Sequence, residues 1–337
     1  MAPLLIITNH ITMRKNIAII AGGYSSESAV AERSAKGLYE YIDKAIYQPY
    51  VVIIGKEEWS VALPSGEQRP IDRNDFSFTQ GDETIHFDFA YITIHGAPGE
   101  NGQLQGYFDM LRLPYSCCDT LAAALTFNKY ACNRYLSSFG VTTARSLRLT
   151  DRNTDTGQIL NQLTLPLFVK PNDGGSSFAT TKVKEAADLA PAIAQAFAEG
   201  KEVIVEELIT GREITCGCYK TSTATLLPIT EVVTHNEFFD YDAKYNGNVE
   251  EITPARLTDE LTTAVQSLTS QIYDWVGAKG IIRVDYFIRP DDTICLLEVN
   301  TTPGMTPTSF IPQQVTAAGL TMTQVMTEII EHELSKH

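Results

Sequence analysis

The stretch Ile281-Ile-Arg283-Val-Asp285-Tyr-Phe-Ile-Arg-Pro-Asp-Asp-Thr-Ile-Cys-Leu-Leu-Glu298-Val-Asn300 holds two apolar runs, each interrupted by charged or amide residues two apart. Side chains of a strand alternate between faces, so Arg283 and Asp285 share one face, as do Glu298 and Asn300. A hairpin turning at Asp291 and Asp292 sets Asp285 opposite Glu298 and Arg283 opposite Asn300. Two carboxylates facing each other across a ladder repel unless a cation lies between them. The oxygen donors Asp285, Glu298 and Asn300 suit Mg²⁺, which keeps waters and bridges to phosphate oxygens. A half-exposed hairpin with a solvated polar face is the other reading. The apolar flanks, and the run from Asn300 into Thr301-Thr302-Pro303-Gly304, favour the metal.

Upstream, residues 165–171 form an apolar strand that carries Lys170 and leads into Asn172-Asp-Gly174-Gly175-Ser176-Ser177. Small residues let backbone amides approach phosphate oxygens, and a lysine adds a point charge. The next residues are strand-like, which departs from the Walker pattern of a loop feeding a helix; an ordinary hairpin loop fits the same letters. Lys129 opens a helix, where a cation works against the helix dipole. Residues 203–209 end an apolar strand in Glu206-Glu207 and continue to Ile209 and Glu213. Such acceptors suit an adenine amino group and ribose hydroxyls, and an exposed acidic loop is the alternative.

The first third reads as strand 16–21, the glycine turn Gly22-Gly23, a helix to about residue 42 with serine as its N-cap, and strands 50–54 and 89–94. This is the opening of a doubly wound α/β domain. Short strands and single helices after residue 118 give an α+β pattern. The expected organisation is three domains, 1–117, 118–208 and 209–337, with residues 1–12 an upstream extension.

At 337 residues, 44% hydrophobic and 20% charged, the chain has the make-up of a globular enzyme. A net charge of −15 argues against a nucleic-acid partner. It also requires any nucleotide site to be locally basic. The six cysteines lack zinc-ligand spacing and read as small buried hydrophobes in a reducing compartment. No run approaches the roughly 18 apolar residues of a membrane span, and the first residues lack a basic leader. A cytoplasmic protein is expected.

Six segments in order resemble the D-alanine–D-alanine ligase family, a branch of the ATP-grasp enzymes. They are residues 22–27, 95–106, 168–177 and 211–215, then Phe239-Asp-Tyr-Asp-Ala-Lys244-Tyr245, and Arg283-Val-Asp285 with residues 298–306. The resemblance implies an ATP-grasp fold behind an N-terminal doubly wound domain. Its implied activity is ATP-dependent joining of two D-alanines through a D-alanyl phosphate, for peptidoglycan, in a homodimer. It implies that Lys129 and Lys170 grip the ATP phosphates under the loop Gly174, Gly175, Ser176 and Ser177. Glu206, Glu207, Ile209 and Glu213 hold adenosine, and Asp285, Glu298 and Asn300 hold two Mg²⁺, with Mn²⁺ as a substitute. Glu27, Ser176 and Arg283 serve the first D-alanine and the oxyanion; Lys244, Tyr245, Gly304 and Ser309 receive the second. Asn101 and Asn128 stand where the family has aspartates.

The chemistry matches those groups. A carboxylate becomes an acylating agent once phosphorylated, and phosphoryl transfer needs positioning and charge neutralisation. The tetrahedral oxyanion then needs a cation such as Arg283. An acyl phosphate must be kept from water, and residues 236–248 are the expected lid. A D-alanine–D-lactate ligase, a ligase for other amino acids and a non-catalytic nucleotide-binding scaffold are the rivals. By the resemblance, Tyr245 favours the amide product.

Overall fold

A computed structural model describes residues 14–25, 27–174, 179–234 and 249–337. The expected site residues Gly175, Ser176, Ser177, Lys244 and Tyr245 lie outside these, as do the expected extension and lid.

The first sheet contains β1 (Lys15–Gly22), β2 (Tyr47–Ile54), β3 (Trp59–Ala62) and β4 (Gln68–Pro70), with β5 (Phe78–Gln80) and β6 (Glu83–Ile85) as a separate hairpin and β7 (Phe89–Ile92) at the far edge. Its order is β4-β3-β2-β1-β7, with β1 parallel to both β2 and β7. Helices cover both faces, which is why β1 reads as one continuous apolar run. Ile17 and Ile19 face one core with α1 (Ser28–Tyr41). Ala18 and Ile20 face the other with α2 (Gln103–Leu111). The expected serine N-cap of α1 is corrected by the structure. Glu27 holds the cap position and makes no side-chain cap bond, while Ser25 Oγ donates to the His95 carbonyl at 2.9 Å.

Helices α3 (Thr120–Phe127) and α4 (Lys129–Ser137) follow. A second, antiparallel sheet runs β10-β9-β11-β8, made of β8 (Ser146–Leu149), β9 (Leu167–Pro171), β10 (Thr181–Val183) and β11 (Val203–Glu207). The helices α5 (Thr156–Leu160) and α6 (Leu189–Glu199) pack on it through Ile159, Ala192, Ile193 and Ala196.

The third sheet has the order β15-β14-β12-β16-β17, with β13 also paired to β12. Its strands are β12 (Arg212–Lys220), β13 (Ala224–Leu226), β14 (Thr230–Thr234), β15 (Val249–Ile252), β16 (Ile281–Ile288) and β17 (Ile294–Asn300). One core joins Val284 and Tyr286 of β16 to α7 (Asp259–Trp275) and to Ala122, Cys132 and Leu136 of α3 and α4. Two final helices, α8 (Phe310–Ala317) and α9 (Met322–Leu334), return to the first sheet. Met326 and Ile329 of α9 share a core with Ile17 and Ile19. Tyr47 Oη donates to Glu331 of α9 at 2.6 Å, and Lys15 pairs with the same carboxylate at 3.1 Å.

All six cysteines are buried and unpaired. Burial pushes the thiols of Cys118, Cys132, Cys216 and Cys218 up to about 12, which leaves them inert at neutral pH. No helix of the described residues is long and apolar enough to cross a membrane.

Candidate active site

The hairpin β16–β17 has the expected register: Arg283 pairs with Asn300 and Asp285 with Glu298. Beyond Asp285 the register shifts by one, with Tyr286 opposite Leu296, so Leu297 is the extra residue of a β-bulge. The turn explains it. Arg289 N–H donates to the Thr293 carbonyl at 3.0 Å and Asp292 has φ 62°, a three-residue loop centred on Asp291. The loop is one residue longer than a two-residue turn, and the bulge absorbs the difference.

On this face the polar groups interlock. Arg283 grips Asp285 with two hydrogen bonds, Nε to Oδ1 at 2.9 Å and Nη2 to Oδ2 at 2.7 Å. Asn300 Nδ2 donates to Asp285 Oδ2 at 3.0 Å and to Glu298 Oε1 at 3.4 Å. Thr215 of β12, directly opposite Asp285, donates Oγ1 to its Oδ1 at 2.6 Å. Burial alone would lower the Arg283 pKa, but the Asp285 carboxylate outweighs it and raises it, with Glu298 and Glu100 adding to the effect. Asp285, Glu298 and Asn300 thus converge as an oxygen-rich set that fits a hard divalent cation once the Asn300 amide presents its oxygen. No group of three His, Cys, Asp or Glu suited to a metal occurs among the described residues; here the third donor is an amide.

The two lysines are brought together by one asparagine. Asn172, fully buried after β9, accepts from Lys129 N–H through its carbonyl at 3.0 Å and from Tyr130 N–H through Oδ1 at 2.9 Å. This staples the start of α4 to the end of the Lys170 strand. Asn128 caps α4, its Oδ1 accepting from Ala131 N–H at 2.9 Å. Lys129 is mostly buried, 3.8 Å from Glu298, and its ammonium donates to the Gly174 carbonyl. Lys170 pairs with Glu206 at 2.6 Å, and Asn133 Nδ2 donates to the other Glu206 oxygen at 3.2 Å. Burial disfavours the Lys170 ammonium, yet Glu206 more than compensates and the pKa is raised. Glu206 is therefore a buried partner, not part of an exposed loop. Glu207 bonds Arg145 at 3.2 Å, and Ile209 is half-buried. Glu213 lies opposite Phe287, on the same face of β12 as Thr215.

These elements border one cleft of about 590 Å³. Glu27, Lys129, Gly174 and Arg283 line it, with Glu298, Asn300, Gly304 and Ser309. Lys170, Glu206, Glu207, Ile209, Glu213 and Asp285 stand outside its lining. Close packing sets the two substrate-side walls against each other. A Cβ on Gly37 of α1 would stand 2.5 Å from the Met305 carbonyl, so the helix that starts at Glu27 lies directly on the 301–309 loop. Ser309 Oγ accepts from Thr306 N–H at 3.1 Å, beside Gly304.

Sequence reasoning assigned no role to four further cleft residues. Glu100 accepts from Gly96 N–H, and its pKa is raised by burial; the nearby Glu27 charge adds, while His95 and the Gly96 bond oppose. His95 lines the cleft, and its buried Nε2 has no hydrogen-bond partner among the described residues. Arg33 of α1 and Glu251 of β15 complete the set. Glu100 and His95 sit inside the 95–106 segment already singled out. Arg33 and Glu251 carry no local signal and reach the cleft by tertiary packing.

Comparison with known proteins agrees with this architecture. The D-ala D-ala ligase N-terminus family matches residues 16–118 and the D-ala D-ala ligase C-terminus family residues 136–331. The D-alanine–D-alanine ligase of Parabacteroides distasonis is 61% identical over 324 residues, 96% of this chain and 98% of that one. Its counterpart in Bacteroides fragilis is 59% identical over 323 residues, 95% of this chain and 100% of that one. Among solved structures, the VanG D-Ala:D-Ser ligase of Enterococcus faecalis superposes with a TM-score of 0.84 at 32% identity, covering 95% of this chain and 99% of that one. The Bacillus anthracis D-alanine–D-alanine ligase complexed with ATP gives 0.76 at 26% identity, covering 95% and 97%. The fold is therefore ATP-grasp with an N-terminal α/β domain. With both family segments matched in order over most of its length, the chain belongs to the D-alanine–D-alanine ligase family.

Proposed function

We propose that this chain joins two D-alanines into D-alanyl-D-alanine at the expense of ATP, through a D-alanyl phosphate, for peptidoglycan synthesis. The observation that carries the reading is that Arg283, Glu298 and Asn300, with Asp285 bonded to Arg283 and Asn300 outside the lining, meet Lys129, Gly174 and Glu27 in one cleft.

In this reading Lys129 and Lys170 hold the ATP phosphates, and Glu206, the backbone around Glu207 and Ile209, and Glu213 hold adenosine. Gly174 opens the loop that continues through Gly175, Ser176 and Ser177. Asp285, Glu298 and Asn300 would hold two Mg²⁺ ions, or Mn²⁺ in their place, and ions held there would supply neutralisation of phosphate charge for phosphoryl transfer. Glu27 receives the ammonium of the first D-alanine and turns its carboxylate toward Arg283. Arg283 then faces the oxyanion that forms when the second amine attacks, an electrostatic contribution of roughly 3–4 kcal/mol. Its bidentate bond to Asp285 fixes the guanidinium beforehand, so little reorganisation accompanies the reaction. Lys244, Tyr245, Gly304 and Ser309 form the second subsite. A homodimer in the cytoplasm is part of the same reading, carried by family resemblance.

The test is D-alanine-dependent release of ADP by purified protein with ATP and Mg²⁺, with products identified by mass. D-alanyl-D-alanine is the expected product. ADP release that does not depend on D-alanine contradicts the reading.

A further inference from the structure

We propose that Glu251 is the specificity-determining anion of the second-substrate subsite, binding the ammonium of the incoming amino acid on entry, before that nitrogen gives its proton to bulk water and attacks as the free amine. The inference rests on the ligase reading above.

Glu251 lies on β15, paired with Val232, and lines the same cleft as Arg283, Thr308, Ser309 and Phe310. Its carboxylate is oriented by Gln313 of α8, whose Nε2 donates to Oε2 at 2.6 Å and to the Thr308 carbonyl at 2.8 Å. One amide therefore ties the carboxylate to the loop that presents Ser309. Helix α8 is itself fixed: Gln314 Nε2 donates to the Thr215 carbonyl at 3.0 Å, and Gln314 Oε1 accepts from Gly217 N–H at 3.0 Å.

Two other cleft carboxylates have different surroundings. Glu298 stands by Lys129 and Asn300. Glu100 accepts from the Gly96 amide, within reach of the Glu27 charge. Glu251 is tied through Gln313 to the loop that carries Ser309. Its orienting partner is neutral, and among the described residues no cation lies within ion-pair distance of it; Arg283 acts on it only through space. A neutral donor aims a carboxylate without cancelling its charge. That arrangement suits a ligand cation, and an amino acid arriving beside Ser309 brings an ammonium. A hydroxy acid brings none, so the same charge selects the amide-forming substrate over the ester-forming one.

The experiment compares the full-length protein with Glu251→Gln and Gln313→Leu, using ATP, Mg²⁺ and D-alanine with and without D-lactate. In Glu251→Gln the KM of the second D-alanine rises about fivefold, the scale of one exposed ion pair. The ATP KM stays unchanged, which also reports a folded protein, and the depsipeptide-to-dipeptide ratio rises. Gln313→Leu moves both in the same direction by less. An unchanged second KM and product ratio in Glu251→Gln, with the parent active, overturns the inference alone. A parent protein that never consumes D-alanine overturns the ligase reading and this inference together.

Discussion

Lys170 Nζ and Glu206 Oε2 lie 2.6 Å apart, with both side chains almost fully buried. Removing one partner of such a pair leaves an uncompensated charge away from water, which is far costlier than losing a surface bridge. Lys170→Met is expected to lower stability by about 3 kcal/mol and to abolish the rise in melting temperature that ATP gives the parent. Denaturant unfolding and thermal unfolding with ATP measure the two effects. A variant as stable as the parent, or one still stabilised by ATP, contradicts the assignment.

Thr215 reaches Asp285 across the β12–β16 ladder at 2.6 Å. Groups that orient a metal ligand typically set affinity by about 10–100-fold. Thr215→Val removes the hydroxyl at nearly constant volume, so the Mg²⁺ concentration for half-maximal ADP release is expected to rise on that scale. The D-alanine KM measured at saturating Mg²⁺ should stay fixed. An unchanged Mg²⁺ titration would show that Thr215 matters only for packing.

Gly217 faces α8, and a Cβ there would stand 2.7 Å from both Gln314 Oε1 and Ile311 Cδ1. Gly217→Ala must push the helix off the sheet or break the Gln314 bonds. A loss of about 1–3 kcal/mol is expected. Because α8 begins immediately after Ser309, a raised KM for the second D-alanine should accompany it. Retained stability with a normal KM would mean that the helix shifts freely.

The clamp between Glu331, Tyr47 and Lys15 makes a pH prediction. The Tyr47 hydroxyl, and then Lys15, hold the Glu331 carboxyl below its ordinary value of 4.5 against the opposing effect of burial. A lowered carboxyl contributes stability above its unfolded pKa and loses it as pH falls through the folded one. The Glu331 side chain is 48% exposed, so Glu331→Gln should cost only about 0.5 kcal/mol at pH 7. That gap should close below pH 4.5. Unfolding midpoints of parent and variant across pH 3–8 give the answer, and a gap that widens in acid refutes the clamp.

The register of Asp285 with Glu298 was legible because strand alternation and hairpin length constrain it directly. The Leu297 bulge was not, since it falls within Cys295-Leu296-Leu297, where a slip of one residue changes no hydrophobic character. The pairing survived because bulge and longer turn cancel on the far side of Asp285. Lys129 and Lys170 were readable as lysines at element ends. What joins them, the buried Asn172 with its bonds to Lys129 and Tyr130, is a tertiary event with no local mark. For Glu206 an exposed acidic loop stays open as the alternative to an adenosine acceptor, because its partner lies 36 residues earlier, at Lys170. Glu251 and Arg33 meet in the cleft only after β15 and α1 are in place, and no periodicity announces that. The short strands β3 to β6 lacked an apolar run long enough to stand out.

The central claim is that the first D-alanine is activated as an acyl phosphate in the cleft between Glu27 and Arg283. The most direct measurement uses D-alanine labelled with ¹⁸O in its carboxylate, together with ATP and Mg²⁺, and reads the isotope in the inorganic phosphate released. Transfer of the γ-phosphoryl group to a carboxylate oxygen, followed by attack of the second amine, carries that oxygen away with phosphate. One ¹⁸O per phosphate is therefore expected for each dipeptide formed. Dipeptide formed with unlabelled phosphate would contradict the acyl phosphate and the role given to this site.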